Sequence, residues 1–194
     1  MKQLNRLLIT LGLMATAATA AAHTGHGAHA ESGFVSGLLH PMLGLDHLLA
    51  MAAIGFWSVR QTASMKDSTP LFVIGGTVLG AGIAWGGLSL PGVETGIGLS
   101  VMLAGILIAT MARLPTAVGG SLAGAFMVFH GFAHGTEMPA GAALVAYLAG
   151  FSMATLAITF VGRGLGALLM KTDSRAGRVV GATLAGVGSY LVAG

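Results

Sequence analysis

GFVSGLLHPMLGLDHLLAMAAIGFWSV, residues 33–59, holds one aspartate, two histidines and no lysine or arginine. A run this long and this apolar exceeds the roughly 20 residues that a transmembrane helix needs. Further apolar runs follow near 71–90, 93–112, 116–137, 140–162 and 175–193. Pro70, Pro91, Pro115 and Pro139 fall in the breaks between runs, where a helix can start without losing a hydrogen bond. The fold class expected is therefore all-α, a polytopic membrane protein built as a six-transmembrane-helix bundle over residues 33–194.

Composition agrees. Of 194 residues, 55% are hydrophobic and 8% charged, against about 25% charged in soluble domains. Such a chain cannot cover a globular surface in water, but it suits a lipid solvent. Glycine is abundant, and G-x-x-x-G pairs recur at Gly76/Gly80, Gly82/Gly86, Gly92/Gly96, Gly120/Gly124 and Gly162/Gly166. In membranes, small residues at this spacing let helices approach closely. The chain has no cysteine, which removes disulfides, thiolate ligands and cysteine nucleophiles together. The net charge of +3 comes from residues in short loops, so it reports topology and implies no nucleic-acid partner.

Residues 1–22 have the pattern of a secretory signal. Lys2 and Arg6 precede an apolar stretch from Leu7 to Met14, and small residues run to Ala20-Ala21-Ala22. Cleavage after Ala22 leaves residues 23–32 as an extracytoplasmic segment carrying His23, His26 and His29, a metal-gathering composition. With that end outside, the first, third and fifth loops are cytoplasmic. They hold Arg60, Lys66, Arg113, Lys171 and Arg175, with Arg163 and Arg178 at adjoining helix ends, while the second and fourth loops hold no lysine or arginine. This is a positive-inside pattern. It puts both mature termini outside the cytoplasm.

The ionisable residues inside the spans are sorted as well. His40, Asp46 and His47 lie in the first run, His130, His134 and Glu137 in the fourth, and Glu94 opens the third. In this topology all lie between the external face and about the midplane. Such groups are costly in lipid and usually functional. His40 and His47 share a helix face, as do His130, His134 and Glu137. Histidines at i and i+4 can chelate one ion. Along a straight axis His40 and His47 stand about 10 Å apart, too far for one ion with bonds near 2 Å. Either the helix is distorted, with Pro41 disrupting it at His40, or there are two stations. Asp46 completes the site or orients a ligand. Imidazole and carboxylate suit Ni²⁺, Co²⁺, Zn²⁺ or Fe²⁺. Met42, Met51, Met127 and Met138 lie nearby and read as apolar packing.

At this point the residues resemble a known family. His40-Pro41-Met42-Leu43-Gly44-Leu45-Asp46-His47-Leu48-Leu49-Ala50-Met51 is similar to the H-P-x-x-G-x-D-H-x-x-x-M signature of HupE/UreJ proteins. His130-Gly131-Phe132-Ala133-His134-Gly135-Thr136-Glu137 is similar to that family's H-G-x-A-H-G-x-E. The resemblance implies a nickel permease of bacterial inner membranes, with cobalt as second cargo, associated with hydrogenase or urease maturation. It also implies that His40, Asp46, His47, His130, His134 and Glu137 matter for transport.

The expected function is thus uptake of a divalent metal ion, Ni²⁺ first, by a non-enzyme with no permanent cofactor. Glu94, His23, His26 and His29 are secondary metal-ligand candidates. The partners expected are the ion, the lipid bilayer and, indirectly, hydrogenase or urease maturation, and a homo-oligomer is compatible. No Walker A motif is present, so an inside-negative potential, worth about 4–5 kcal/mol for a divalent ion at 100 mV, is the available drive. The rivals are an intramembrane metal-dependent hydrolase with a zinc-bound water and a metal sensor or chaperone without transport.

Overall fold

The computed structural model describes residues 33–172 and 174–194. The expected signal peptide and His23, His26 and His29 lie outside the described residues. The described chain is helical: α1 (Gly33–Leu43), α2 (Leu45–Ser58), α3 (Ala63–Trp85), α4 (Val93–Ala109), α5 (Thr116–Thr136), α6 (Leu144–Thr172) and α7 (Ser174–Ala193). Four of these, α3, α5, α6 and α7, are long and apolar enough to cross a membrane. The α1–α2 pair passes the same test jointly but is bent by 83°, and α4 is a shorter apolar helix. Leu43, Leu71, Val145 and Tyr190 are each more than 70% exposed. An aqueous surface would leave these side chains uncompensated, whereas acyl chains solvate them.

Several boundaries differ from the expectation. The second run begins earlier: Thr62 accepts a hydrogen bond from the Met65 amide and caps α3 at Ala63, so Pro70 lies inside the helix. Pro70 has no N–H for the Lys66 carbonyl, and the Arg163 guanidinium donates to that carbonyl instead at 2.6 Å. That bond replaces the hydrogen bond that an interior proline forfeits. The same residue explains why α6 outruns its expected end near 162: Arg163 turns inward to Ser58 and Lys66 and does not mark a helix end. At the other end of α6, residues 140–143 are not helical, and Gly141 sits at φ 81°. The first run does not break at His40. α1 continues through Pro41 to Leu43, and the chain turns at Gly44, whose extended backbone starts α2. Asp46 Oδ1 accepts the His47 amide at 2.8 Å and occupies one of the unpaired donors of that new N-terminus.

Glycines set the packing. A Cβ on Gly76 or Gly80 would strike the backbone of α5 at Gly124 or Val128, and one on Gly131 would strike Thr77. α3 and α5 therefore run parallel in backbone contact. Gly37 and Gly150 do the same between α1 and the first part of α6, and Gly55 and Gly162 between α2 and its later part. Gly105 and Gly181 join α4 to an antiparallel α7. Gly82 meets nothing within 4 Å, so the Gly82/Gly86 pair is not a packing motif here.

Candidate functional site

The bend at Gly44 places His40 and His47 around one ring. His134, from the last turns of α5, has its ring centroid 4.8 Å from that of His40 and 4.3 Å from that of His47. His47 in turn lies 4.8 Å from His130, edge to face. The helix is distorted, with the bend at Gly44, and His40 and His47 each contact His134 without falling into one ligand group. The imidazoles form a continuous run, His40–His134–His47–His130.

The run starts at the surface. His40 Nε2 and Glu137 Oε2 are 2.7 Å apart, and the Glu137 side chain is 55% exposed. Ligand atoms of His40, His134 and Glu137 lie within 4.8 Å of one another and could hold a metal ion. The deeper rings are buried: His47 is 8%, His134 1% and His130 0% exposed.

What these rings lack is informative. His47 Nε2, His130 Nδ1 and both His134 ring nitrogens are buried without a hydrogen-bond partner. An unpaired buried polar atom costs about 1–3 kcal/mol, and native interiors hold few of them. Here they gather on neighbouring rings from two elements. A neutral imidazole with a free lone pair is a ligand for a borderline divalent cation. Asp46 is not aimed at the same space. Its Oδ1 accepts from His47 Nδ1 at 2.8 Å, which leaves the lone pair of His47 on Nε2. It acts on the neighbouring ring, as carboxylates do behind metal-binding histidines.

The last turn of α5 is held from outside the cluster. Tyr147 donates its hydroxyl to the His134 carbonyl at 3.1 Å, and Trp85 donates to the Gly135 carbonyl at 3.0 Å. These are carbonyls that a helix end leaves unpaired. Phe151 packs on the His134 ring, with centroids 4.6 Å apart. The sequence does not reveal these contributions of Tyr147, Trp85 and Phe151, since each looks like an ordinary lipid-phase aromatic. Glu94 is placed elsewhere, exposed in the first turn of α4 and outside the metal-capable group among the described residues.

One turn beyond His47 and one turn before His130 the surroundings change. Met51, Ile54, Val73, Ala123, Met127 and Ile158 form a buried apolar cluster. The fully buried polar side chains at this depth and beyond are hydroxyls, among them Thr155, Thr69, Thr159 and Ser58. Thr77 and Thr155 have no partner for their hydroxyls. At the far end Arg163 ties α6 to α2 and α3, and Gln61 ties the α2–α3 loop to the Ala112 carbonyl and the Leu114 amide.

Comparison with known proteins places this arrangement. The family model described as HupE / UreJ protein matches residues 11–191. "Protein HupE" of Rhizobium leguminosarum bv. viciae is 40% identical over 191 residues, covering 96% of this chain and 97% of that protein. No solved structure matches.

Proposed function

Because the chain belongs to the HupE/UreJ family, we propose that it is a permease carrying a divalent metal ion, Ni²⁺ first and Co²⁺ second, inward across the bacterial inner membrane to supply hydrogenase or urease maturation. The single observation that carries this reading is the set of unpartnered imidazole nitrogens on linked rings that lead inward from exposed Glu137.

The two ends of the run differ in charge. His40, His134 and Glu137 make an entrance station with a carboxylate, which favours capture of a cation. Deeper in, His47, His130 and His134 would make an all-imidazole station once their ring nitrogens draw together, whereas His40, His134 and Glu137 already bring ligand atoms within reach of one ion. His134 belongs to both. Its ring has no hydrogen bond to fix which nitrogen bears the proton, so either nitrogen can offer a lone pair. An ion can pass from the outer to the inner station without leaving that ring. The residues His23, His26 and His29 would collect ions ahead of the entrance after signal cleavage.

The bent α1–α2 pair and the short α4 each count as one crossing in this reading, giving six. The parallel pairs α3 with α5 and α1–α2 with α6, and the antiparallel pair α4 with α7, agree with six alternating crossings. Arg60, Arg113 and Arg178 then face the cytoplasm. Release passes the apolar cluster toward Thr155, Thr159 and Ser58, and it requires the α2–α5–α6 contact to open. The membrane potential supplies the drive.

The test is uptake of radioactive nickel by proteoliposomes of the purified protein under an inside-negative potential. Uptake above the protein-free baseline is expected for the wild type and none for His134→Ala. Tight binding with no flux under any imposed gradient would instead leave a sensor or chaperone, and substrate turnover by the zinc-loaded protein would leave a hydrolase.

A further inference from the structure

Ser100 lies in the middle of α4 and is completely buried. Its Oγ is 2.6 Å from the Ile97 carbonyl and 2.8 Å from His130 Nε2. A serine hydroxyl has one proton, and a carbonyl oxygen can only accept. The short contact to Ile97 therefore takes the Ser100 proton, and the remaining lone pairs of Oγ face the ring. His130 Nε2 must then be the donor. A neutral imidazole protonated at Nε2 has its free lone pair on Nδ1. Nδ1 is the His130 atom that is buried without a partner.

We propose that Ser100 is a positioning residue that fixes His130 as its Nε2–H tautomer, so that Nδ1 is the atom presented to the divalent cation. This rests on reading the imidazole run as a cation path. Ser100 does for His130 what Asp46 does for His47, from a different helix and without a charge. The two settings are opposite: Asp46 accepts a hydrogen bond from Nδ1–H and leaves Nε2 free, whereas Ser100 accepts one from Nε2–H and leaves Nδ1 free. Each acceptor thus leaves one nitrogen of its ring buried and unpartnered, Nε2 on His47 and Nδ1 on His130. Without the Ser100 acceptor the His130 ring can exchange tautomers or flip, and its lone pair is no longer committed to Nδ1.

The experiment uses the full chain in lipid bilayers, with isotopically labelled histidine and ring-nitrogen magnetic resonance in the metal-free state. His130 is assigned by the signal lost in His130→Gln. The wild type is expected to show the Nε2–H form. Ser100→Ala is expected to show a mixture and to bind Ni²⁺ about 10–100-fold more weakly, the usual cost of losing a group that orients a ligand. Ser100→Thr, which keeps the hydroxyl, is expected to restore both. A wild-type His130 protonated at Nδ1 overturns the proposal with no variant needed. So does Ser100→Ala protein with unchanged tautomer and unchanged affinity. Wild-type protein that binds Ni²⁺ with the expected tautomer dependence but does not transport it removes the permease reading and leaves the role of Ser100 standing.

Discussion

His47 and Met51 are separated by one turn of α2, as Met127 and His130 nearly are on α5, yet the two levels differ sharply in chemistry. At the histidine level, buried nitrogens lack partners and an exposed carboxylate opens the run to the surface. At the methionine level, the side chains are apolar and tightly packed, and the fully buried polar groups around them, among the described residues, are hydroxyls. Neutral imidazoles bind a divalent ion, and an apolar layer excludes it. A permeation path needs both: a place to stop, and a seal that keeps the two sides of the membrane from being connected at once. The arginine end is tied as well, because Arg163 joins three helices where Pro70 freed a carbonyl.

The largest effect is expected from removing the ring that both stations share. His134→Ala should reduce nickel uptake to baseline while the protein remains folded in the membrane, as read by uptake and by gel filtration of the detergent-solubilised protein. Loss of His40 alone should weaken capture and leave the deep station able to bind, which equilibrium binding at rising Ni²⁺ can separate. If His40→Ala abolished binding altogether, the distinction between stations would be gone.

Next in size is a change to helix approach at the histidine level. Gly131→Ala puts a methyl group against Thr77 beside His130. Overpacking of this kind costs about 1–3 kcal/mol, and uptake should fall with the loss of stability in thermal unfolding. Gly82→Ala on α3 meets nothing and should leave both unchanged.

Met51→Leu tests the apolar layer itself. The swap conserves volume, so it should cost less than about 1.5 kcal/mol and leave uptake near wild type. A collapse of uptake with stability intact would mean that the thioether is a ligand. The smallest effect is expected at Tyr147→Phe, which removes one hydrogen bond to the His134 carbonyl. That costs about 0.5–1.5 kcal/mol and should raise the Ni²⁺ concentration needed for half-maximal uptake by a few-fold.

Much of this is legible in the amino-acid sequence. Apolar runs place the long helices, and the signature residues mark both arms of the site. The points where the sequence misleads have physical causes. Pro70 reads as a boundary because proline usually is one, and only the distant Arg163 makes it tolerable inside α3. Pro41 draws the expected break to His40, but the turn falls at Gly44, where an extended backbone is least costly and Asp46 can cap the next helix. That shift decides the geometry, because it is what brings His40 and His47 to one ring. Ser100 gives no signal, since a lone serine in an apolar run has no spacing to recognise. Its role exists only through the packing of α4 against α5. Glu94 carries the same kind of signal as Glu137, an acid at a helix end, but the fold leaves it outside the cluster.

The most direct test of the central claim, that an imidazole run and not the methionine layer holds the ion, is X-ray absorption at the nickel edge of the nickel-loaded protein. A shell of nitrogen and oxygen with imidazole scattering is expected, diminished in His134→Ala. Sulfur in the first shell, or a nickel environment unchanged by His134→Ala, would contradict it.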